Sequence, residues 1–263
     1  MHIGKYLRMY RILSPVTNRT VIVPLDHGGY GMIEGLEDIS NVVKGVVKGG
    51  ANALILQPGI VKQVYKEIAG KTGLIIRVSA ISVFNKNRGL IEAGTYSVEN
   101  SLMLGADAVI TSLYIGGEYE IESIENTSSV CGVADRYGVP CLVEAFPSLD
   151  RFKSVQDPEG IIQVIRMAVE LGADMVKAYL PADYDFMKEA VKKARVPVVL
   201  AGGEASSPID VLRLAKLAID AGLAGVCFGR KVFKYKDPSL MVKALSLIIH
   251  EGLGVEEASK ILV

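Results

Sequence analysis

The sequence predicts a single (βα)8 TIM barrel over residues 1–263, one catalytic domain that opens with an N-terminal helical extension. Three observations predict it. Short hydrophobic strands alternate with amphipathic segments along the whole chain, and no linker or shift of composition interrupts them. The strand candidates are near-continuous apolar runs, as strands covered on both faces require. The length, 263 residues with 50% hydrophobic content, fits one barrel of about 250 residues.

Taken in order, Met1–Leu13 spaces cations through apolar positions as a helix packed on the body does. The first strand is Thr20-Val-Ile-Val-Pro-Leu-Asp26. A weak internal repeat then recurs, in which a helix closes on Gly and a small residue leads into a strand. It is seen at Gly50-Ala-Asn-Ala-Leu-Ile-Leu-Gln57, Gly105-Ala-Asp-Ala-Val-Ile110, Gly172-Ala-Asp-Met-Val176 and Gly222-Leu-Ala-Gly-Val-Cys-Phe228. Glycine suits the residue past a helix end, because positive φ costs it little. Gly73–Val78, Val139–Phe146 and Val196–Ala201 complete eight strand candidates. Asp157-Pro158, Ser207-Pro208 and Asp237-Pro238 each place a capping side chain before a proline, the start signal of a helix.

The bulk properties exclude several functions. Equal counts of 29 basic and 29 acidic residues give no net charge, which argues against nucleic acid or an anionic membrane as a partner. No stretch is long and apolar enough to span a bilayer, and the N-terminus lacks a signal peptide's apolar core. Cys131, Cys141 and Cys227 lie in apolar contexts without ligand spacing, and read as reduced core thiols of a cytoplasmic protein. Three histidines leave little for a metal site, so no metal is expected.

The chemistry gathers where strands end. In Gly172–Tyr179, Met175, Lys177 and Tyr179 share one face if Val176 and Ala178 face the helices. An ammonium inside a barrel must be paired or lose its proton, and a neutral lysine attacks carbonyls. A lysine that only snorkels to solvent or pairs with an acid is the alternative. Asp26, in phase with Ile22 and Pro24, points into the same interior, where it accepts a substrate hydroxyl or relays a proton; otherwise it caps its own turn. Glu144 and Phe146 share the inner face of their strand, and Glu144 serves either as an acid/base or as an ion-pair partner of Lys177 or Arg77. Tyr114 and Tyr179 stand at the same mouth. Gly202 and Gly203 after one strand, with Gly229 and Arg230 after the next, match a barrel phosphate site, although Glu204 beside them is an odd neighbour for an anion.

Val23-Pro-Leu-Asp-His-Gly28, Gly50–Ala53, Gly59-Ile60, Leu104–Val109, Leu171–Lys177, Val196–Gly203 and Gly229-Arg230, in that order, resemble the DhnA-like archaeal-type class I aldolase family. That family holds fructose-bisphosphate aldolases, aminodideoxyheptulosonate synthases and the autoinducer-2 phosphate thiolase. The resemblance covers nearly the whole chain. It implies a Schiff-base lysine at Lys177, an active-site acid at Asp26, and phosphate at Gly202, Gly203, Gly229 and Arg230. Where the family's aldolases carry an acid/base tyrosine, this chain has Phe146, and Tyr114–Glu120 looks more like the thiolase branch.

The resulting expectation is a class I lyase that makes or breaks a C–C bond in a phosphorylated sugar or ketose through an imine on Lys177. Desolvation and a neighbouring cation are expected to lower the Lys177 pKa. Glu144, as an acid of raised pKa, refills the role of the missing phenol; Tyr179 or His27, acting through a water, is the alternative. Acyl transfer from a phosphorylated diketone to coenzyme A, as co-substrate, is the second reading. A sugar-phosphate-binding barrel without turnover is the third. No resident cofactor is expected. By analogy with the family, the chain forms homo-oligomers.

Overall fold

The computed structural model describes residues 2–80, 92–202 and 207–262, with Gly29 and Tyr30 described in their backbone alone. Eight parallel strands close a barrel in it. They are β1 (Thr20–Pro24), β2 (Ala53–Leu56), β3 (Gly73–Arg77), β6 (Ala108–Ile115), β7 (Cys141–Pro147), β8 (Met175–Ala178), β9 (Val198–Ala201) and β10 (Gly225–Cys227). Between β3 and β6 a two-stranded antiparallel hairpin, β4 (Ser79–Ala80) with β5 (Ala93–Gly94), sits at the barrel mouth. All eight barrel strands correspond to the runs read from the sequence; the hairpin does not. β6 runs five residues past the expected end at Ile110. Its extension continues the alternation with polar and aromatic inner residues, Ser112 and Tyr114, which pair in register with Glu144 and Phe146 of β7.

The helices that cover the barrel start where the capping signals stand. Asp157, Ser207 and Asp237 accept backbone N–H bonds at the starts of α6 (Pro158–Glu170), α8 (Pro208–Asp220) and α10 (Pro238–Glu251). Asp157→Ala is expected to lower stability by about 1 kcal/mol, the usual worth of such a cap, read as a lower denaturant midpoint.

The Gly-Ala-Asx repeat has a physical cause. Gly50, Gly105, Gly172 and Gly222 all have positive φ, between 85° and 102°. The Asx that follows in three of the four turns back to hold the N–H of the preceding strand. Asn52 accepts from Val21, Asp107 from Leu74 and Asp174 from Cys141. Asp107 and Asp174 also pair with Arg11 and Lys5 of α1 (Ile3–Ile12). The repeat thereby ties the helical extension across the N-terminal end of the barrel, where Ile12 and Leu13 plug the lumen.

Two apolar layers result. One lies between strands and helices, with Val23, Leu54, Ile76, Val143 and Val176. The other fills the lumen, with Ile22, Ile55, Ile75, Ile110, Leu142 and Met175. The alternation read for β8 is borne out: Val176 and Ala178 face the helices and Met175 faces the lumen. Above the apolar lumen, towards the C-terminal strand ends, the inner positions turn polar. All three cysteines are buried free thiols. No helix among the described residues is long and apolar enough to cross a membrane.

Candidate active site

The polar layer is built by register. β6, β7 and β8 place Ser112, Glu144 and Lys177 side by side on the inner face. β3 contributes Arg77, its last residue, two positions beyond the lumen residue Ile75. β1 ends at Pro24, and Asp26 opens the short 3-10 turn that follows. All five side chains are buried, Arg77 at 2% exposure and Lys177 at 5%.

Arg77 is the hub. Its Nε donates to Asp26 Oδ2 at 2.8 Å and its Nη1 to Ser112 Oγ at 2.9 Å. Its Nη2 bonds Glu144 Oε2, and Nη1 lies 3.6 Å from Glu92 Oε2. The other Glu144 oxygen, Oε1, meets the Lys177 ammonium at 2.5 Å and accepts the Tyr179 hydroxyl at 3.5 Å. Asp26 and Lys177 thus stand on one network with Glu144 between the two cations. Among the described residues, no cluster of His, Cys, Asp and Glu is arranged to hold a metal.

This network corrects two expectations. Burial does push the Lys177 ammonium down, but the adjacent Glu144 carboxylate outweighs it, and the lysine pKa lies above its ordinary value. For Glu144, burial pushes the carboxyl up, while Lys177 and Arg77 overcome that and hold its pKa below the ordinary range. Glu144 is therefore a carboxylate at rest, not a carboxylic acid. Asp26 follows the same pattern: burial raises it, and Arg77 followed by Lys177 brings it down. The site at rest contains a Lys177–Glu144 ion pair, from which an amine arises by passing one proton to the carboxylate.

The aromatic wall lies over β6, β7 and β8. Tyr114 and Phe146 stack at 4.8 Å with planes 8° apart, and Phe146 leans on Tyr179 at 5.3 Å. Burial raises the Tyr179 phenol to about 12. Tyr114 belongs to β6 itself, not to a loop after it, and its hydroxyl donates to Glu92 Oε1 at 3.1 Å. Glu92 also accepts the Ser79 hydroxyl.

His27 packs edge-on against Phe233 with its Nδ1 3.8 Å from Asp26. Burial lowers its pKa, helped by Lys177 and Arg230 against the pull of Asp26. A neutral imidazole thus joins the β1 end of the site to its β10 end. At that end Gly229 caps α9 (Arg230–Phe233), and Arg230 is its first residue. A Cβ on Gly229 would stand 2.6 Å from the His27 ring, and one on Gly202 would stand 3.0 Å from Phe228. Packing alone therefore explains both glycines, which leaves Arg230 and the position of this end at the last two strands as the marks of an anion site. Gly203 and Glu204 lie outside the described residues.

The site residues expected from the sequence thus fall into two groups. Lys177, Glu144, Asp26, Tyr179 and His27 come together at the mouth; Gly202, Gly229 and Arg230 flank them. Arg77 entered the reading only as an ion-pair partner, although the in-phase run Ile75, Arg77 carries the signal that marked Asp26. Ser112 has the same kind of signal, once β6 is extended. Glu92 has none, because it stands just before β5, outside any strand.

A profile of the DeoC/LacD aldolases matches residues 20–235. The chain belongs to that family. It is an aldolase of the class I type, with the barrel of the archaeal class I enzymes. Among relatives, a 2-amino-3,7-dideoxy-D-threo-hept-6-ulosonate synthase of Halobacterium salinarum is 32% identical over 97% of this chain and 95% of its own. A 2-amino-4,5-dihydroxy-6-oxo-7-(phosphonooxy)heptanoate synthase of Streptomyces griseus is also 32% identical, over 95% of this chain and 91% of its own. An archaeal fructose-1,6-bisphosphate aldolase, solved with its catalytic lysine bound to the carbinolamine intermediate, superposes with a TM-score of 0.85. It is 25% identical over 93% of this chain and 99% of its own.

Proposed function

We propose that the chain, acting as one catalytic domain, makes or breaks a C–C bond in a phosphorylated sugar or ketose through an imine on Lys177. The observation that carries this is the buried Lys177–Glu144 pair at the C-terminal mouth of the barrel, 2.5 Å apart. When a ketone enters, Glu144 takes a proton from Lys177 and the amine adds to the carbonyl. Glu144 then returns that proton to the carbinolamine hydroxyl, which leaves as water, and an iminium remains. The iminium takes the electron pair of the breaking C–C bond, and an enamine forms. Tyr179 orients Glu144 and the carbinolamine oxygen; His27 stands by as a neutral acid/base. Asp26, fixed by Arg77, accepts a substrate hydroxyl. Arg230, with Gly202, Gly203 and Gly229, receives the phosphate.

No resident cofactor enters this scheme. Reduced cysteines and balanced charge support a cytoplasmic enzyme, and the family resemblance suggests a homo-oligomer. Phe146, where a phenol is expected, favours a second reading, acyl transfer to coenzyme A in the same site.

The test is incubation with a panel of phosphorylated ketones and aldehydes, with and without coenzyme A, then borohydride reduction and intact mass. An adduct mapped to Lys177 supports the imine and identifies the donor by mass. Strict dependence of turnover on coenzyme A selects the second reading. Ligand binding with no adduct from any ketone reduces the chain to a sugar-phosphate-binding barrel.

Glu144→Gln is expected to keep the trappable adduct while turnover falls by about 10²–10⁴. Without the carboxylate that holds its proton, Lys177 loses it more readily, so adduct formation moves to lower pH. The pH dependence of trapping checks this.

A further inference from the structure

We propose that Tyr114 and Glu92 form the acid/base pair that handles the protons on carbon and on the cleaved hydroxyl. This assignment rests on the imine reading at Lys177. Glu144 serves the nitrogen end of the reaction, because it holds the lysine proton and gives it up to the departing water. C–C cleavage needs a second proton relay, one that takes a hydroxyl proton and later delivers a proton to the enamine carbon.

The neighbouring carboxyls do not fit that duty. Glu144 is committed to the lysine proton through its 2.5 Å contact with Lys177, and Asp26 is held by the Arg77 guanidinium at 2.8 Å. Tyr179 lies two residues beyond Lys177 and bonds the same Glu144 oxygen as the ammonium, which puts it at the nitrogen end. Phe146 stands inside the mouth on β7 without a polar atom. Tyr114 stands beside it, register-paired on β6 and stacked ring on ring. It is the phenol one strand farther from Lys177 than Phe146.

Its hydroxyl is prepared for transfer. Tyr114 is buried and its O–H donates to Glu92, which is itself buried and accepts Ser79 as well. A phenol bonded to a carboxylate passes its own proton to the carboxylate as it takes another. During cleavage the substrate O–H proton moves to the Tyr114 oxygen, and the phenol proton moves to Glu92. The O–H bonding pair becomes the second bond of the aldehyde C=O as the C–C pair flows into the iminium. After the aldehyde leaves, Tyr114 delivers its proton to the enamine carbon and recovers the one held on Glu92. The hydroxyl proton ends on carbon, and no oxidant or outside base is consumed.

A route for exchange with solvent lies behind the pair. A cavity of about 160 Å³ touches Glu92 and is lined by Ser79, Ser112, Ser123, Asn126 and Ser129. The last two are exposed on α5 (Glu120–Arg136). At about 30 Å³ per molecule, this space, which Val78 and Val130 also line, accommodates a short file of waters. A proton resting on Glu92 therefore exchanges with bulk solvent without crossing the substrate.

The test follows the donor half-reaction alone. The probe is dihydroxyacetone phosphate or, where another ketone of the panel labels Lys177 more fully, that ketone. In D₂O, deuterium entering the carbon beside the carbonyl reports enamine protonation, while borohydride trapping reports the imine. Tyr114→Phe and Glu92→Gln are expected to trap as much adduct as the parent and to slow deuterium entry about 100-fold or more. The double variant Tyr114→Phe/Phe146→Tyr, which moves the phenol one strand across, is expected to recover exchange. Parental exchange in Tyr114→Phe overturns the assignment. A double variant as slow as the single one overturns it in favour of simple packing. If no ketone of the panel labels Lys177 in the parent chain, the imine reading falls and this assignment falls with it.

Discussion

Lys177→Met abolishes the borohydride-trappable adduct and lowers kcat/KM by roughly 10⁴-fold or more, because it removes the amine that forms the imine. Methionine keeps an unbranched stem in the lumen beside Cys227 and Val199, so the barrel closes around it. Glu144 keeps its bond to Arg77 and is not left as a bare buried charge. Lys177→Arg serves as the partner experiment. A guanidinium keeps the positive charge against Glu144, but stays protonated and forms no imine. Both variants are expected to be dead, and Lys177→Arg is expected to retain phosphate-ligand binding measured by calorimetry. Adduct formation in either variant would move the nucleophile elsewhere in the chain.

The sequence showed which charges point inward, and the structure showed what they do to one another. Alternation along single strands was enough to place Asp26, Glu144, Lys177 and Tyr179 on the inner face, and caps such as Asp157-Pro158 located the helices. The direction of the lysine shift was not legible in the same way. A buried ammonium by itself loses its proton, and that was the reading. The pairing Glu144↔Lys177 between β7 and β8 reverses it, and strand pairing is a long-range fact that no local pattern encodes. Arg77 was visible but undervalued, since one arginine at a strand end reads as a snorkelling side chain until three acids are found around it. Glu92 was invisible for another reason. It stands just before a two-residue strand, Ala93–Gly94, too short to show any period. The Gly-Ala-Asx repeat was legible as a pattern and not as a mechanism, because its acceptor function needs the neighbouring strand.

Arg77→Met is expected to cost about 3–5 kcal/mol at neutral pH, the range for removing one partner from a buried ionic network. The side chain is close to isosteric along its stem, so most of the loss is charge. Asp26 loses its 2.8 Å partner, and Glu144 is left with Lys177 and the Tyr179 hydroxyl. The pH dependence carries the argument. In the parent both carboxyls have folded pKa values below their ordinary range of about 4. Their contribution to stability is therefore present above that range, and is lost as pH falls through the lowered folded values. Without the guanidinium, the burial that Arg77 opposed pushes both carboxyls upward, most of all Asp26. The variant then pays its full penalty at neutral pH and recovers part of it as pH falls towards 4 and the carboxyls take up protons. Denaturant midpoints of parent and variant should converge between pH 7 and about pH 4.5. A gap that stays constant over that interval would assign the cost to packing in the lumen, and Arg77 would hold the mouth open by shape alone. Convergence would mean that one arginine sets the ionisation of both acids, so that Asp26 and Glu144 enter the reaction as carboxylates.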